Sequence, residues 1–173
     1  MLAFNLGSCL AQEVSPANHS QPTPKIISAQ PSPTFIEDLA AEQELLQLAN
    51  QRRREAGALP LHMDPALSNA ARAHARLMVD RQQLSHQFDG EPRLMPRLLE
   101  TGLALDRVGE NVAFNASAEK AFEALMQSPP HRRNLLDPSY NCAGFAAFWS
   151  NQRIYVVQDF AHQLPSISKT SLP

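Results

Sequence analysis

Ser128-Pro129-Pro130-His131-Arg132-Arg133-Asn134-Leu135-Leu136 is the stretch around which the whole chain can be ordered. Two prolines cannot sit inside a helix or a central strand, so the backbone must turn here. A helical pattern runs into this turn, and two strand-like runs follow it. His131 therefore stands on a stiff corner between a helix and a sheet, where a side chain is well placed to face a cleft.

The 173 residues suffice for one domain with a real core. A net charge of -2 offers no basic field for nucleic acid and no polybasic patch for anionic lipid. The Arg52-Arg53-Arg54 cluster lies in a helical pattern close to Glu42, Glu44 and Glu55 and reads as a solvated helix face. The two cysteines, Cys9 and Cys142, show no metal or redox spacing. Cys142 reads as a small buried hydrophobe in a strand.

Residues 1–11, MLAFNLGSCLA, are almost wholly apolar. They read as the remnant of an export signal without its charged start, and Leu6-Gly7-Ser8-Cys9 resembles a lipoprotein box acylated at Cys9. The chain is thus expected to be secreted or held in the cell envelope. Residues 12–35 are rich in proline and polar residues and read as a disordered linker. No later stretch is long and apolar enough to span a membrane.

The domain is expected over residues 36–163. Leu39, Glu42, Leu45, Leu46, Ala49 and Arg53 recur at helical spacing, so residues 36–56 read as an amphipathic helix stopped by Gly57. Asp64-Pro65 is the cap and first position of a second helix, which fades near Gln83. Pro92 to Glu100 reads as a short third helix, interrupted at Pro96 and ended by Gly102. Arg107 to Phe114 reads as a short strand or an irregular extended segment. Ser117 caps a fourth helix to Gln127. Asn141–Trp149 and Arg153–Ala161 read as an antiparallel hairpin, and residues 164–173 as a disordered tail. Helices first and strands last argue for an α+β domain.

Of six histidines, His19, His62 and His162 lie in connectors or near the chain ends. His74, on the apolar face of the second helix, reads as a hydrogen-bonded core residue. His86 and His131 differ, because each sits where the chain is irregular, and Glu110 lies between them in Gly109-Glu110-Asn111. Two imidazoles and a carboxylate can form a first shell for a divalent metal with an open position. From spacing alone the three form no local motif, and surface or hydrogen-bonding roles are the simpler reading. No Gly-x-Ser-x-Gly elbow or Gly-rich phosphate loop is present.

Six blocks together resemble one known family. They are Gly57-Ala58-Leu59-Pro60-Leu61 with Asp64-Pro65-Ala66-Leu67, Ala70-Ala71-Arg72-Ala73-His74-Ala75, Ser85-His86, Gly109-Glu110-Asn111-Val112-Ala113, the Ser128–Leu136 stretch, and Tyr155-Val156-Val157-Gln158-Asp159-Phe160. In order and spacing they are similar to a bacterial CAP domain, of the superfamily of cysteine-rich secretory proteins, antigen 5 and pathogenesis-related proteins. The resemblance implies a three-layer α-β-α sandwich around a small, mainly antiparallel sheet. It also implies export and a central cavity that binds zinc or another divalent ion. By motif position the metal residues would be His86, Glu110 and His131.

The chain departs from the family in two places. Leu125 stands where many relatives have tryptophan, and no acid stands at Ser128, where a second acid is expected. Glu119 or Glu123 could replace that acid. The function so implied is an exported, monomeric domain that binds a metal and a small-molecule, lipid or envelope ligand, with no assigned reaction. The alternatives are a lipid- or sterol-binding module using Leu94, Met95, Leu98, Leu99 and Leu103, an envelope interaction module, and a metal-dependent hydrolase with Glu110 as base.

Overall fold

The computed structural model describes residues 35–165, so the expected export signal, Cys9 and nearly all of the linker and tail lie outside the described residues. The element order is β1 (Ile36–Glu37), α1 (Leu39–Glu55), β2 (His62–Met63), α2 (Pro65–Arg81), α3 (Leu94–Leu99), β3 (Leu105–Asn115), α4 (Ala118–Gln127), α5 (Pro129–Leu136), β4 (Cys142–Ser150) and β5 (Arg153–Gln163).

The strands form a sheet in the order β1-β4-β5-β3, with β2 also paired to β4. Every pairing is antiparallel except β2 with β4. Strand side chains alternate between faces, and both faces here are apolar. Ala143, Phe145 and Ala147 of β4 join Ile154, Val156 and Phe160 of β5 in a core with residues of α1 and α4. Ala146, Phe148, Tyr155 and Val157 point the other way, onto Ala71, Ala75 and Met78 of α2. The result is the α-β-α sandwich, with β3 at one edge of the sheet.

The helices start where their caps dictate. Asp38 accepts from the Ala41 amide, and Asp64 accepts from those of Ala66 and Leu67. The first helix begins at Leu39 and not Ile36, because Ile36 and Glu37 are drawn into the sheet against Trp149 and Phe148. The hairpin closes through Asn151 and Gln152, both at positive φ (49° and 61°) as a type I′ turn requires. Arg107 to Phe114 is no irregular segment but the middle of the long strand β3.

Two local expectations are corrected. Pro129 and Pro130 do not break the chain between a helix and a sheet; they open α5 as its first two residues. Amides there have no helical partner, so proline loses nothing and its fixed φ suits the helix. The turn is confined to Ser128, which ends α4 and begins α5.

Arg53 is not on a solvated face. Arg52 and Arg54 are exposed, but Arg53 is fully buried. It donates to the carbonyl oxygens of Leu59, Leu135, Asp137 and Tyr140. One guanidinium thus satisfies the C-terminal end of α5 and the loop beyond it, where carbonyls would otherwise be orphaned.

Candidate functional site

Strand alternation decides the site. Glu110 of β3 is the register partner of Asp159 of β5, so both carboxyl groups point to the α2 side of the sheet. Asn111, one residue on, points to the α5 side. Its Nδ2 donates to the His131 carbonyl at 3.0 Å and to Gln158 Oε1 at 3.1 Å. Asn134 Nδ2 donates to the Glu110 carbonyl and to Asn111 Oδ1, each at 3.1 Å. Gly109 leaves room for Tyr140, because a Cβ there would collide with the Tyr140 hydroxyl. The three residues of Gly-Glu-Asn therefore have three separate jobs: clearance, site carboxylate and helix anchor.

The structure does bring the three expected residues together. His86 Nδ1 lies 2.8 Å from Glu110 Oε1, and the His86 and His131 rings are 6.4 Å apart, tilted by 38°. His86 is exposed, His131 half-buried and Glu110 buried. The Glu110 hydrogen bond, opposed by partial burial, holds the His86 pKa above the usual histidine range. Burial, with the His86 charge beside it, lowers that of His131. Burial alone would raise Glu110. The His86 hydrogen bond and the Arg97, His74 and His86 charges outweigh it and keep Glu110 an anion.

Four further residues complete the cluster. His74, fully buried in α2, has Nδ1 2.6 Å from Glu91 Oε1 and Nε2 2.8 Å from the Ser85 carbonyl. It is the hydrogen-bonded core histidine expected, and it holds the loop carrying His86. Arg97 of α3 bonds Glu110 Oε2 through Nη2 and Glu91 Oε1 through Nη1, the latter at 3.0 Å. Asp159 is fully buried, and neither of its oxygens has a hydrogen-bond partner. Burial, then the Glu110 charge, pushes its carboxyl well above the usual range.

Glu91, Arg97 and Asp159 were not singled out in the sequence. The signal for Asp159 was present: antiparallel pairing places it opposite Glu110. Nothing local marked Glu91 or Arg97. Glu119 and Glu123, the proposed replacements for the second acid, are exposed on α4. In the apolar run of α3, Leu98 is fully buried and Leu94 and Leu103 pack beside it against Leu67, Leu105 and Cys142. That run is core.

Among the described residues, no group of three or more His, Cys, Asp and Glu side chains is arranged to hold a metal ion. The reason is visible at Glu110: one oxygen faces His86 and the other faces Arg97, so neither is free to coordinate. A His/Glu/His first shell does not fit this arrangement. Two imidazoles with a carboxylate behind one of them do fit a cation, because an outer carboxylate holds a ligating histidine in its correct tautomer. At 6.4 Å the rings are wider apart by about 1 Å than two imidazoles on one tetrahedral ion.

Comparison with known proteins gives a consistent picture. Residues 46–160 match the model of the cysteine-rich secretory protein family, CAP. The uncharacterized protein YkwD of Bacillus subtilis (strain 168) is 30% identical over 121 residues, covering 66% of this chain and 47% of that protein. The uncharacterized membrane protein YlbC of the same organism is 29% identical over 121 residues, 69% of this chain and 34% of that one. The chain thus spans less than half the length of either relative.

An extracellular protein containing an SCP domain from Bacillus anthracis superposes with a TM-score of 0.66 at 23% identity, covering 71% of this chain and 40% of that one. An outer surface protein of Borrelia burgdorferi superposes with a TM-score of 0.71 at 16% identity, over 76% of this chain and 99% of that one. By the match over residues 46–160 and the shared sandwich, this chain belongs to the cysteine-rich secretory protein (CAP) family.

Proposed function

We propose that this chain is the CAP domain of an exported protein and that it binds a divalent cation, zinc foremost, between His86 and His131. Glu110 stands behind His86 in this reading and does not coordinate. The observation that carries it is the 2.8 Å contact of Glu110 Oε1 with His86 Nδ1, which leaves Nε2 as the nitrogen available to an ion. A bound divalent ion would offer an open position to a water or ligand oxygen.

Binding is favoured over catalysis by the state of Glu110. A carboxylate held below its usual range and bonded on both oxygens is a poor general base. Export is supported by the apolar start of the chain and by the extracellular and outer-surface proteins among its structural relatives. Cys9 is then the position a lipid would occupy.

Zinc titration by calorimetry tests the cation. Wild type is expected to bind one equivalent, and His86→Ala and His131→Ala to lose it. Equal binding in all three proteins would remove the reading. Cell fractionation of the full chain, with palmitate labelling compared between wild type and Cys9→Ser, tests export and the anchor.

A further inference from the structure

Removal of Arg97 would leave an assembly of acids that is hard to keep buried. Glu110 and Asp159 sit directly opposite across β3 and β5. The Glu91 side chain is only 6% exposed and reaches the same guanidinium. Like charges facing each other across a sheet repel, and in a dry interior they must be neutralised by a cation or a proton. The two Asp159 oxygens have no hydrogen-bond partner, and Oδ1 lies 3.9 Å from Arg97 Nη2. Glu110 and Glu91 share the single positive charge of Arg97, which also lies 3.2 Å from His74 Nδ1. Carboxylates converging on one buried point, with imidazoles alongside, are the donor set of a divalent ion. Here an arginine fills that point.

We propose that the Arg97 guanidinium is the resident cation of this site: it occupies the acid side of the cluster as a metal ion would, keeps Glu110 from coordinating, and confines any external ion to His86 and His131. This deepens the cation-binding reading and rests on it only for the behaviour of the wild-type protein. Arg97 is a positioning residue under this proposal. Its removal should create coordination, whereas loss of a merely structural arginine would only weaken the fold.

The test is zinc calorimetry together with thermal melts on wild type, Arg97→Met and Arg97→Met/Glu110→Gln. Arg97→Met is expected to bind zinc at least about tenfold more tightly than wild type, since freeing Glu110 adds a ligand to the first shell. The second substitution should remove the gain. Zinc should raise the melting temperature of Arg97→Met by more than it raises that of wild type. If Arg97→Met is unfolded without an ion, circular dichroism should show it folding when zinc or manganese is added.

The proposal is overturned by a folded Arg97→Met with wild-type affinity or weaker, or by a gain that survives Glu110→Gln. An unfolded variant that zinc, manganese and calcium all fail to rescue also overturns it. Wild type without zinc binding beside a binding Arg97→Met would remove the two-histidine reading and leave this one standing. Histidine-dependent binding in wild type with no gain in Arg97→Met would do the reverse.

Discussion

Asn134 Nδ2 donates to the Glu110 carbonyl at 3.1 Å, so the helix that carries His131 is tied to the strand that carries Glu110. The same amide reaches Asn111 Oδ1, and Asn111 in turn holds the His131 carbonyl. Two motifs far apart in the chain are thus one hydrogen-bonded unit. Asn134→Ala is expected to cost about 1–2 kcal/mol, because it leaves buried acceptors on β3 without donors. Urea denaturation measures that cost. The variant should also weaken zinc binding although it removes no ligand, and an unchanged affinity would show that α5 is placed by other contacts.

Arg53 is expected to be the most sensitive arginine of its triplet. Arg53→Met withdraws four hydrogen bonds from carbonyl oxygens at the end of α5 and its flanks. A loss of about 3 kcal/mol or more follows from leaving several buried acceptors unpaired. Arg54→Met, on the exposed side, should change stability by less than about 0.5 kcal/mol. Paired chemical melts of the two variants distinguish this arrangement from a surface cluster.

Gly144 marks the closest approach of α2 to the sheet. A Cβ there would collide with the backbone of Leu67 and Ser68, which has no room to move because both cores pack around it. Gly144→Ala is expected to destabilise by about 1–3 kcal/mol as overpacking. It should also open the contact between α2 and β4, read as faster hydrogen exchange at Phe145, whose amide donates to Ser68 Oγ.

Asp38 couples pH to the start of the domain. The Ala41 amide, then the Trp149 indole donor, hold its carboxyl below the usual range. A carboxyl depressed in the folded state adds stability above its unfolded pKa of about 3.9, and that stability is lost as pH falls through the lower folded value. Trp149 is the single tryptophan, so its emission reports the contact directly. Emission should shift as wild type is acidified into that range. Asp38→Asn should remove the pH-dependent part, and an identical acid shift in the variant would assign the change to other carboxyls.

Cys142 should be inert in the folded protein. It is fully buried, and burial pushes its thiol up to about 11. Iodoacetamide at neutral pH should alkylate Cys142 only after denaturation, as mapped by mass spectrometry. Alkylation of the folded chain would show that β4 opens locally.

Much of the fold was legible because short-range rules set it. Asp64 and Ser117 cap their helices, the 3.6-residue period runs through Leu45 and Ala49, and aromatic and β-branched residues mark β4 and β5. Those are local signals, and the structure follows them. The misreadings share one cause, which is that a distant partner outweighed the local pattern. Ile36 and Glu37 left the helix for a strand pairing with Trp149 and Phe148. Arg53 carries the charge of a surface residue but meets four carbonyls from two loops and a helix end. Pro129 and Pro130 looked like a break, yet a helix tolerates proline in its first turn.

The site divides in the same way. The sequence by itself determined which family the chain belongs to and which three residues converge, since His86, Glu110 and His131 stand in blocks whose order and spacing agree with that family. Only the tertiary structure decided what Glu110 is bonded to. That depended on the strand register that sets Asp159 opposite it and on a short helix that lays Arg97 across both acids. Coulomb interactions in a dry interior act through space and not along the chain. No local pattern around Arg97 or Asp159 therefore announced that a guanidinium would hold the carboxylate where an ion was expected.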